Sequence, residues 1–419
     1  MRTLLEKNLA ILAKLFLWRY HPKIVAITGS VGKTSTKEAC LRVLQTKYSV
    51  RQSRGNYNNE IGLPLTIAGE QTGGRNLLRW AWIFLKSIAK LAHADYPQVL
   101  VLELGVDRPG NIAYLMKILG KVDVAVVTDI GISHLQFFTD QSELAREKLS
   151  LIKKLPLEAA AVLNFDSPKV QEGRIQTKAK VVSFGFAREA QIKASDFRLM
   201  QVEGTWGSNF KVHYEGTVLP FFLPNSLGKP AVYAALAAVA VGLQFDINLV
   251  EASEALKSYE PSQGRQRLIA GIRQTAIIDD TYNAAPASTI AALDTLNNLA
   301  LGRKIAVLGS MTELGAQTRS GHIDVAAKIV ESAIGLVYLV GEEAKIIREG
   351  LQARKFSGRA QWFATSDSAK ISVRSALLPG DTILVKGSQA ARMEKIVKEI
   401  MLEPNLAPQL LVRQSESWL

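Results

Sequence analysis

The chain of 419 residues is long enough for two or three domains. Its single cysteine, Cys40, excludes a disulfide framework and a four-cysteine zinc site, and fits a reducing compartment. The formal net charge is +13, and residues 1–100 hold 15 Lys and Arg against 5 Asp and Glu. Such a charge favours anionic partners, namely nucleotides, nucleic acids or an anionic membrane face.

The N-terminal segment LLEKNLAILAKLFLWRY is predicted to form an amphipathic helix. Glu6, Lys7 and Lys14 interrupt it, so it lacks the ~20 uninterrupted apolar residues of a membrane span. It also lacks the small-residue cleavage site of a signal peptide. Four of its apolar residues recur at helical spacing: Leu5, Leu9, Leu12 and Phe16.

A second stretch of this kind, NLLRWAWIFLKSIAKLA, begins at Asn76. We expect the two helices to pack on each other or on the main sheet. The alternative is a peripheral contact with a membrane through Trp18, Trp80, Trp82 and the neighbouring Lys and Arg residues. The expected location is the cytoplasm, with the inner membrane face as the alternative.

From Lys23 onward the pattern changes to strand, loop and helix. KIVAIT is a short β-branched run, GSVGK is a turn, and TSTKEACLRVLQTK has helical periodicity with good capping residues. Three further apolar runs follow: VLVLELG at 99–105, VDVAVVTDI at 122–130 and AAAVLNF at 159–165. Their continuous hydrophobicity is typical of strands that are buried on both faces of a parallel sheet.

The segment AITGSVGKTSTKEA carries the Gly-Lys-Thr core of a phosphate-binding loop, although Ile27 occupies the position of the usual first glycine. The strand before it and the helix after it are the context that such a loop needs. Gly29 and Gly32 would bring backbone N–H groups to phosphate oxygens at a helix N-terminus. Lys33 would reach the β- and γ-phosphates, and Thr34 would offer its hydroxyl to Mg²⁺.

Two further polar residues follow predicted strands. Glu103 ends VLVLELG, and His134 lies in DIGISHLQFF just after the next strand. The carboxyl ends of parallel strands are where α/β sheets bind ligands. A hard cation needs more ligands than one hydroxyl, so we expect both residues to serve the site. The alternatives are a surface glutamate and a structural histidine.

A change of pattern between about 192 and 223 predicts short antiparallel strands, which an alanine-rich helix follows. PSQGRQR at 261–267 is a candidate hinge, after which strands and helices alternate again. The fold class is therefore α/β: a phosphate-loop domain with a mostly parallel sheet and a small antiparallel sheet, then a Rossmann-like α/β domain. The predicted units are an N-terminal helix at 1–23, a central domain at 24–260, a C-terminal domain at 262–402 and a loosely ordered tail at 403–419.

The loop TGSVGKTS resembles that of the Mur ligases, which reads Thr-Gly-Ser/Thr-x-Gly-Lys-Thr-Ser/Thr and lacks the distal glycine. The related folylpolyglutamate synthetases usually have Gly-Lys-Gly-Ser, so Thr34 favours the Mur branch. Further matches follow in order: NYNNEIGLPLTI at 56–67, LELGVDRPGNI at 102–112, DIGISHLQFF at 129–138, AREKLSLI at 145–152, GRQR at 264–267, DDTYNAAP at 279–286, LGSMTELG at 308–315 and VKGSQAARMEKIV at 385–397. Within the family, the set most resembles the ligases that add D-alanyl-D-alanine.

This resemblance implies an ATP- and Mg²⁺-dependent ligase of peptidoglycan precursor synthesis that joins D-Ala-D-Ala to a UDP-muramoyl tripeptide. A substrate carboxylate would attack the γ-phosphate of ATP, giving an acyl phosphate and ADP. The amine would then displace phosphate and form the amide. Such chemistry depends mainly on positioning and charge neutralisation, and closure of the C-terminal domain would exclude water.

The resemblance also implies roles for individual residues. The ATP-binding residues would be Gly29, Ser30, Val31, Gly32, Lys33, Thr34, Ser35, the hinge arginine Arg265, the ribose-binding Asp280, Tyr282 and Asn283. The metal ligands would be Thr34, Glu103, His134 and Lys148, and the catalytic residues Lys33, His134 and Lys148. The substrate-facing residues would be Asn58, Asn59, Met311, Glu313, Lys386, Ser388 and Arg392. Lys148 matches a carbamylated lysine, whose modification makes an Mg²⁺-binding anion; the alternative is a helix-surface lysine beside Glu147.

The chain departs from the family pattern at several positions. The family has His and Asn where GKPAVYAALAA has apolar residues: Pro230, Ala231 and Ala234. An adenine-contacting asparagine is therefore missing. Ala285 replaces a typical asparagine and Gln389 a typical arginine, although Arg392 lies one helical turn on. Only residues 1–23 precede the loop strand, where the D-alanyl-D-alanine ligases carry a UDP-sugar-binding domain.

This last departure leaves the carboxylate donor open. The basic first hundred residues would substitute for the absent domain, or the donor would lack UDP, as a lipid-linked muropeptide near a membrane does. Another Mur-like or folylpolyglutamate-like ligase is therefore the main alternative. A P-loop ATPase that serves as a switch is a weaker alternative, because it does not explain the second α/β domain with its own motifs. A nucleic-acid-binding protein is also weaker, because no RNA or DNA module appears in the sequence. We expect small-molecule substrates, no nucleic-acid partner and a monomer.

Overall fold

The strands form two sheets in this computed structural model. The structure describes residues 2–93, 95–131, 135–299, 302–332, 334–415 and 418. Among these residues the first sheet has nine strands and the second has six.

The first sheet contains the phosphate-loop strand near its middle. From one edge to the other its strands are β2 (Val50–Gln52), β3 (Val99–Glu103), β1 (Lys23–Thr28), β4 (Val124–Val127), β5 (Ala160–Asn164), β6 (Lys180–Gly185), β7 (Ile192–Val202), β8 (Thr205–Tyr214) and β9 (Thr217–Pro224). Strands β1 to β6 are parallel, and β7 to β9 pair antiparallel. The predicted antiparallel strands thus extend the edge of the large sheet, which β7 joins through a short parallel pairing with β6.

The second sheet confirms that the α/β alternation restarts after the predicted hinge. Its strands are, in order, β10 (Arg267–Gly271), β11 (Thr275–Asp280), β15 (Thr382–Lys386), β12 (Lys304–Gly309), β13 (Leu336–Val340) and β14 (Arg359–Phe363). All neighbours are parallel except β10 and β11. The predicted fold class is therefore confirmed.

Helices cover both faces of each sheet. Their bounds are α1 (Arg2–Tyr20), α2 (Lys33–Leu44), α3 (Gly62–Ala68), α4 (Leu77–His93), α5 (Asn111–Leu119), α6 (Gln141–Lys153), α7 (Pro168–Gln171), α8 (Gly228–Leu243), α9 (Leu249–Leu256), α10 (Pro286–Asn298), α11 (Thr318–Glu331), α12 (Ala344–Ala353), α13 (Ser366–Ala376), α14 (Glu394–Ile400) and α15 (Ala407–Leu410). On the first sheet, α1, α3, α5 and α6 share one apolar core, and α2, α8 and α9 share the other. On the second sheet, α10 to α12 lie opposite α13 to α15.

Short 3-10 turns occupy several connections. They are Leu135–Phe137, Glu172–Gln176, Ile272–Gln274, Gly315–Gln317, Gln389–Ala391 and Pro404–Leu406. The turn at 315–317 lies close to the turn at 135–137, and the Gln136 amide donates to the Glu313 carbonyl across 3.4 Å. This contact links a loop of the first sheet to a loop of the second.

The predicted N-terminal helix is present as α1 and packs against the first sheet. Its buried residues include the predicted Leu9, Leu12 and Phe16. Leu9 also contacts the cluster that contains Trp80 and Ile83 of α4. The expected packing of the two helices is therefore confirmed. Within the described part of the chain, no helix is long and apolar enough to cross a membrane.

The prediction of a loosely ordered tail is wrong for residues 404–415. Leu411 and Val412 are buried in the second domain, and the Leu402 amide donates to Ala270 of β10. The Arg413 side chain is only 5% exposed and forms an ion pair with the fully buried Glu394 at 2.9 Å. The sequence of the tail does not reveal this anchor, because the anchor depends on a buried carboxylate of α14.

Candidate active site

The phosphate loop turns tightly between β1 and α2. Gly29 has a φ of 149° and Gly32 a φ of 88°, both in the region that favours glycine. A Cβ atom on Gly29 would lie 2.0 Å from the Thr128 hydroxyl, so a side chain there would collide with the end of β4. The Ser30 amide donates to the Asp129 carbonyl across 2.6 Å, which fixes the loop to the same strand end.

Lys33 is the first residue of α2, and its side chain folds back over the loop. Its Nζ donates to the Gly29 carbonyl at 2.7 Å. Burial lowers the pKa of the Lys33 amine, and the nearby Arg265 guanidinium lowers it further, while the Glu103 carboxylate opposes the shift. The amine thus lies at the centre of the loop with a backbone carbonyl as its partner, as a phosphate-binding lysine requires.

Thr34 and Glu103 bring two oxygen donors together beside the loop. The Thr34 hydroxyl donates to Glu103 Oε2 at 3.1 Å, and Asn58 Nδ2 donates to Glu103 Oε1 at 3.3 Å. The two residues meet because β1 and β3 are parallel neighbours that end at the same edge of the sheet. Glu103 is 4% exposed, so its alternative as a surface glutamate is wrong.

These two oxygens fit Mg²⁺ as a partial ligand set. The described residues contain no group of three or more His, Cys, Asp or Glu side chains that could hold a metal ion. Mg²⁺ usually keeps several waters and takes other oxygens from substrate phosphates, so two protein ligands are compatible with it. The predicted ligand His134 lies outside the described residues.

Lys148 lies on the buried face of α6 and points at the phosphate loop. The helix begins at Asp140, whose side chain accepts a hydrogen bond from the Glu143 amide. Lys148 is 1% exposed, and its Nζ donates to the same Gly29 carbonyl at 3.1 Å. Its alternative as a helix-surface lysine is therefore wrong. Burial lowers the pKa of Lys148 well below that of an ordinary lysine, and the Lys33 charge adds to this shift.

Arg265 connects the hinge to the phosphate loop. Its Nη2 donates to the Thr34 hydroxyl at 3.1 Å, and its guanidinium lies 4.2 Å from the centre of the Tyr282 ring. Its Nε is buried and has no hydrogen-bond partner among the residues that the structure describes. A buried, incompletely satisfied guanidinium beside a phosphate loop has spare capacity for an anionic ligand.

The second sheet contributes a neutralised pair to the same region. Lys386 at the end of β15 is 2% exposed and forms an ion pair with Asp280 at 2.8 Å. Its Nζ also donates to the Asn283 carbonyl at 2.9 Å. The two side chains meet because β11 and β15 are parallel and pair Asp280 with Lys386 in register.

One cavity of about 650 Å³ collects most of the predicted residues. Those that line it are Ser30, Val31, Gly32, Lys33, Thr34, Ser35, Asn58, Glu103, Arg265, Asp280, Tyr282, Asn283, Glu313, Lys386 and Arg392. This first cavity therefore has walls from both sheets, with the phosphate loop on one side and the ends of β11 and β15 on the other.

Five described residues of the prediction do not line this cavity, and one of them, Gly29, lies in the phosphate loop itself. Asn59 caps α3, since its side-chain oxygen accepts from the Gly62 amide at 2.9 Å. Met311 is 1% exposed in the core of the second domain. The Ser388 hydroxyl accepts from the Thr312 amide at 2.9 Å and so holds a loop of the wall. Lys148 lies behind the loop at Gly29 and does not line the wall.

The departures from the family pattern cluster around the first cavity. Pro230, Ala231, Ala285 and Gln389 line it. Ala234 is instead buried in the core beside α2. This part of the wall therefore has fewer polar side chains than the family pattern provides.

Arg392 is engaged within the second domain. Its Nε donates to Glu394 at 2.5 Å and its Nη2 to the Trp418 carbonyl at 2.9 Å. Its guanidinium also lies 5.3 Å from the centre of the Trp418 ring. Arg392, suggested as a substitute for the arginine lost at Gln389, thus shares Glu394 with Arg413.

Sequence reasoning missed several residues of the site. Asp107 and Asp129 follow β3 and β4. Their carboxylates raise the pKa of the Lys148 amine and so oppose the effect of its burial. The signal that identified Glu103, a carboxylate just after a buried strand, applies to both. Tyr259 and Trp418 also line the first cavity, but no local pattern singles them out.

A second cavity of about 800 Å³ adjoins the first and shares Asp107 and Glu313 with it. Thr3 and Glu6 of α1 line one side. The other wall residues are Asn59, Glu60, Arg108, Pro109, Gly110, Asn111, Tyr114 and Phe137. The N-terminal helix therefore forms part of a pocket that opens beside the phosphate loop.

Comparison with known proteins agrees with this architecture. The family model described as the Mur ligase middle domain matches residues 27–78 and 81–242, and that described as the Mur ligase glutamate ligase domain matches residues 264–389. The UDP-N-acetylmuramoyl-tripeptide–D-alanyl-D-alanine ligase of Bacillus subtilis (strain 168) is 32% identical over 94% of this chain and 79% of its own length. The Escherichia coli (strain K12) protein of the same name is 29% identical over 90% of this chain and 76% of its own length.

Solved structures give the same result. MurF from Acinetobacter baumannii superposes with a TM-score of 0.80 at 26% identity, over 95% of this chain and 81% of that chain. The MurF ligase of Thermotoga maritima in complex with ADP superposes with a TM-score of 0.78 at 26% identity, over 94% of this chain and 83% of that chain. The phosphate loop, the two sheets and these matches together show that the chain belongs to the Mur ligase family.

Proposed function

We propose that this protein is an ATP-dependent ligase that joins D-Ala-D-Ala to a UDP-N-acetylmuramoyl tripeptide in peptidoglycan precursor synthesis. The relatives of that name match over most of the chain. The observation that carries the proposal is the first cavity, whose walls come from both the phosphate loop and the second sheet. A ligase needs such a cavity because ATP, the acid and the amine must meet in one place.

The phosphate loop would hold the triphosphate. Its backbone N–H groups and the α2 N-terminus point positive ends of dipoles at the phosphates. Lys33 would exchange the Gly29 carbonyl for phosphate oxygens, since its amine lies within the loop. Arg265 would add a second cation from the hinge, and Asp280 would accept hydrogen bonds from the ribose.

Thr34 and Glu103 would hold one Mg²⁺ ion, which supplies charge neutralisation to the phosphates when bound. Their hydroxyl and carboxylate oxygens lie 3.1 Å apart. His134 remains a proposed ligand of a second ion.

Lys148 is proposed to carry a carbamate. Its depressed pKa makes the neutral amine more abundant, and only a neutral amine reacts with CO₂. The new N–C bond forms as the amine loses a proton, and the product is an anion. That anion would lie beside Lys33, where burial disfavours a second cation.

The second cavity is proposed to hold the carboxylate donor. It adjoins the phosphate loop through Asp107, so a carboxylate entering from it would approach the γ-phosphate end of the first cavity. Attack forms a P–O bond to the acid and releases ADP. The amine of D-Ala-D-Ala, placed by Glu313 and Lys386, would then attack the acyl carbon and release phosphate.

Three further properties are the oligomeric state, the location and the carboxylate donor. We propose that the protein acts as a monomer in the cytoplasm on small-molecule substrates. The alternative donor is a muropeptide that lacks UDP, because the wall of the second cavity includes α1, a helix that precedes the matched Mur ligase middle domain. Either donor would present the same carboxylate to the phosphate loop.

The test is direct. The protein would be incubated with ATP, Mg²⁺, UDP-muramoyl tripeptide and D-Ala-D-Ala, and the pentapeptide product would be sought by mass spectrometry. We expect pentapeptide and ADP in equal amounts. ADP release without pentapeptide would instead favour the ligase with another donor, and absence of ATP binding would refute both.

A further inference from the structure

Helix α4 carries apolar residues on two of its sides. One side is buried against the first domain through Trp80 and Ile83. The other side presents large apolar residues that are 60% to 83% exposed: Leu77, Leu78, Trp82, Leu85 and Ile88. An amphipathic surface helix would instead place polar side chains on that side. The exposed stripe is therefore unusual for a helix that faces only water.

Helix α1 repeats this arrangement. Its buried residues, such as Leu12 and Phe16, face the sheet. Exposed apolar residues recur at helical spacing on the opposite side: Leu4, Ile11, Leu15 and Trp18. Trp18 is 72% exposed and Trp82 is 63% exposed, which is costly for such large side chains in water.

The two helices lie together on the domain. Leu9 of α1 packs with Trp80 and Ile83 of α4. At the other end, the Tyr20 hydroxyl donates to the carbonyls of Lys90 and Leu91. We call the exposed residues of this pair the α1–α4 face: Leu4, Ile11, Leu15, Trp18, Leu77, Leu78, Trp82, Leu85 and Ile88. Both stripes lie on this one helix pair, and exposed large apolar residues in such numbers mark an interaction surface.

The charges on these helices have one sign with a single exception. The sequences of α1 and α4 contain one acidic residue, Glu6. Exposed basic residues accompany the apolar stripes: Lys7, Lys14, Arg19, Arg79 and Lys86. Apolar residues bordered by Lys and Arg are typical of helices that lie in the interface of an anionic membrane.

We propose that the α1–α4 face docks on the surface of an anionic lipid bilayer. A second copy of this chain fits less well, because a symmetric dimer would bring the same basic residues against each other. A bilayer with anionic headgroups supplies both an apolar phase for Trp18 and Trp82 and the opposite charge for Arg79. Docking would place the second cavity close to the membrane, since Thr3 and Glu6 of α1 line it.

The test uses vesicles and the intact protein without substrates, so it does not depend on the proposed function. Co-sedimentation would be measured with phosphatidylcholine vesicles that contain or lack phosphatidylglycerol, at low and high salt. We expect binding only to the anionic vesicles, and weaker binding at high salt. Trp18→Ser/Trp82→Ser should reduce the partition coefficient by roughly tenfold or more, because two large side chains no longer enter the interface.

A matched control replaces two exposed apolar residues elsewhere, Ile175→Ser/Ile371→Ser, which are 84% and 56% exposed in the parent. The control should bind vesicles as the parent does, and both variants should retain ATP turnover. A parent that stays in the supernatant with both vesicle types would overturn the proposal. A parent dimer in sedimentation equilibrium that Trp18→Ser/Trp82→Ser dissociates, without vesicle binding, would assign the face to a second copy and overturn it equally.

Discussion

The lysines on the two sides of the first cavity have different kinds of partner. On the phosphate-loop side, Lys33 and Lys148 both donate to the Gly29 carbonyl, and burial lowers the pKa of both amines. On the second sheet, Lys386 is 2% exposed and instead forms an ion pair with Asp280 at 2.8 Å. One side therefore gathers two amines around a single backbone carbonyl, and the other pairs an amine with a carboxylate.

This difference predicts which lysines can accept the charge of a ligand and which lysine the fold depends on. Two amines that share one carbonyl repel each other and are incompletely compensated, so an incoming triphosphate or a carbamate would relieve both. The pair of Lys386 and Asp280 is already compensated and holds the ends of β11 and β15 in place. Removing a lysine should therefore lower activity but not stability on the first side, and lower stability as well as activity on the second.

The largest effect is expected for Lys33→Met. The variant removes the cation from the phosphate loop and keeps most of the apolar stem, so turnover should fall by about 10³-fold. The measurement is steady-state ADP release with saturating ATP. A lysine whose pKa falls on folding destabilises the folded state below the ordinary lysine pKa, so the melting temperature at neutral pH should stay equal or rise.

The exposed Lys47→Met is the matched control and should leave both turnover and melting temperature unchanged. The contrast fails if Lys33→Met loses stability as well as activity. In that case the amine would be holding the loop together through Gly29, and its effect on turnover would be indirect.

The next effect is on stability. Lys386→Met leaves Asp280 buried without its partner, which should lower the free energy of unfolding by about 3–5 kcal/mol. Urea titration monitored by circular dichroism measures this change. Lys386→Met/Asp280→Asn removes both charges and should recover a large part of the loss, since no uncompensated charge then remains.

An unchanged unfolding midpoint in Lys386→Met would contradict the scaffolding role. A double variant that is no more stable than the single variant would also contradict it. The cost would then come from lost packing rather than from the unpaired, buried charge of Asp280.

The sequence predicted the parts of the site that depend on local pattern. The glycines, Lys33 and Thr34 follow from the loop, and Glu103 follows from its position after a buried strand. The parallel register of β1 and β3 then brings Thr34 and Glu103 together, as expected. The fold class was predictable for the same reason, since continuous apolar runs fix which strands are buried.

Other features depend on contacts between distant segments, which local pattern does not encode. The tail is anchored by Arg413, which Glu394 of α14 holds in an ion pair, and the sequence of the tail does not reveal this contact. Met311 belongs to a matching motif, yet its side chain fills the core of the second domain. Lys148 has an exposed-looking sequence context, and only the packing of α6 beneath the loop buries it. In each case tertiary packing determined the outcome.

The smallest effect is expected for Lys148→Ala. If Lys148 carries a carbamate, the variant loses an anion beside the loop and turnover should fall roughly 10- to 100-fold, an effect of the size seen for residues that tune a metal site. Added formate or acetate should restore part of the turnover, because a small carboxylate can occupy the space left by the side chain. The measurement is ADP release across a formate titration.

Lys33→Met provides the control for this rescue, since its lost group is a cation and formate should not help it. A Lys148→Ala variant that formate leaves unchanged, or that formate rescues no better than Lys33→Met, would count against the carbamate. Lys148 would then serve as an unmodified, neutral amine that donates to the Gly29 carbonyl. Lys33 alone would then show the contrast with the paired Lys386.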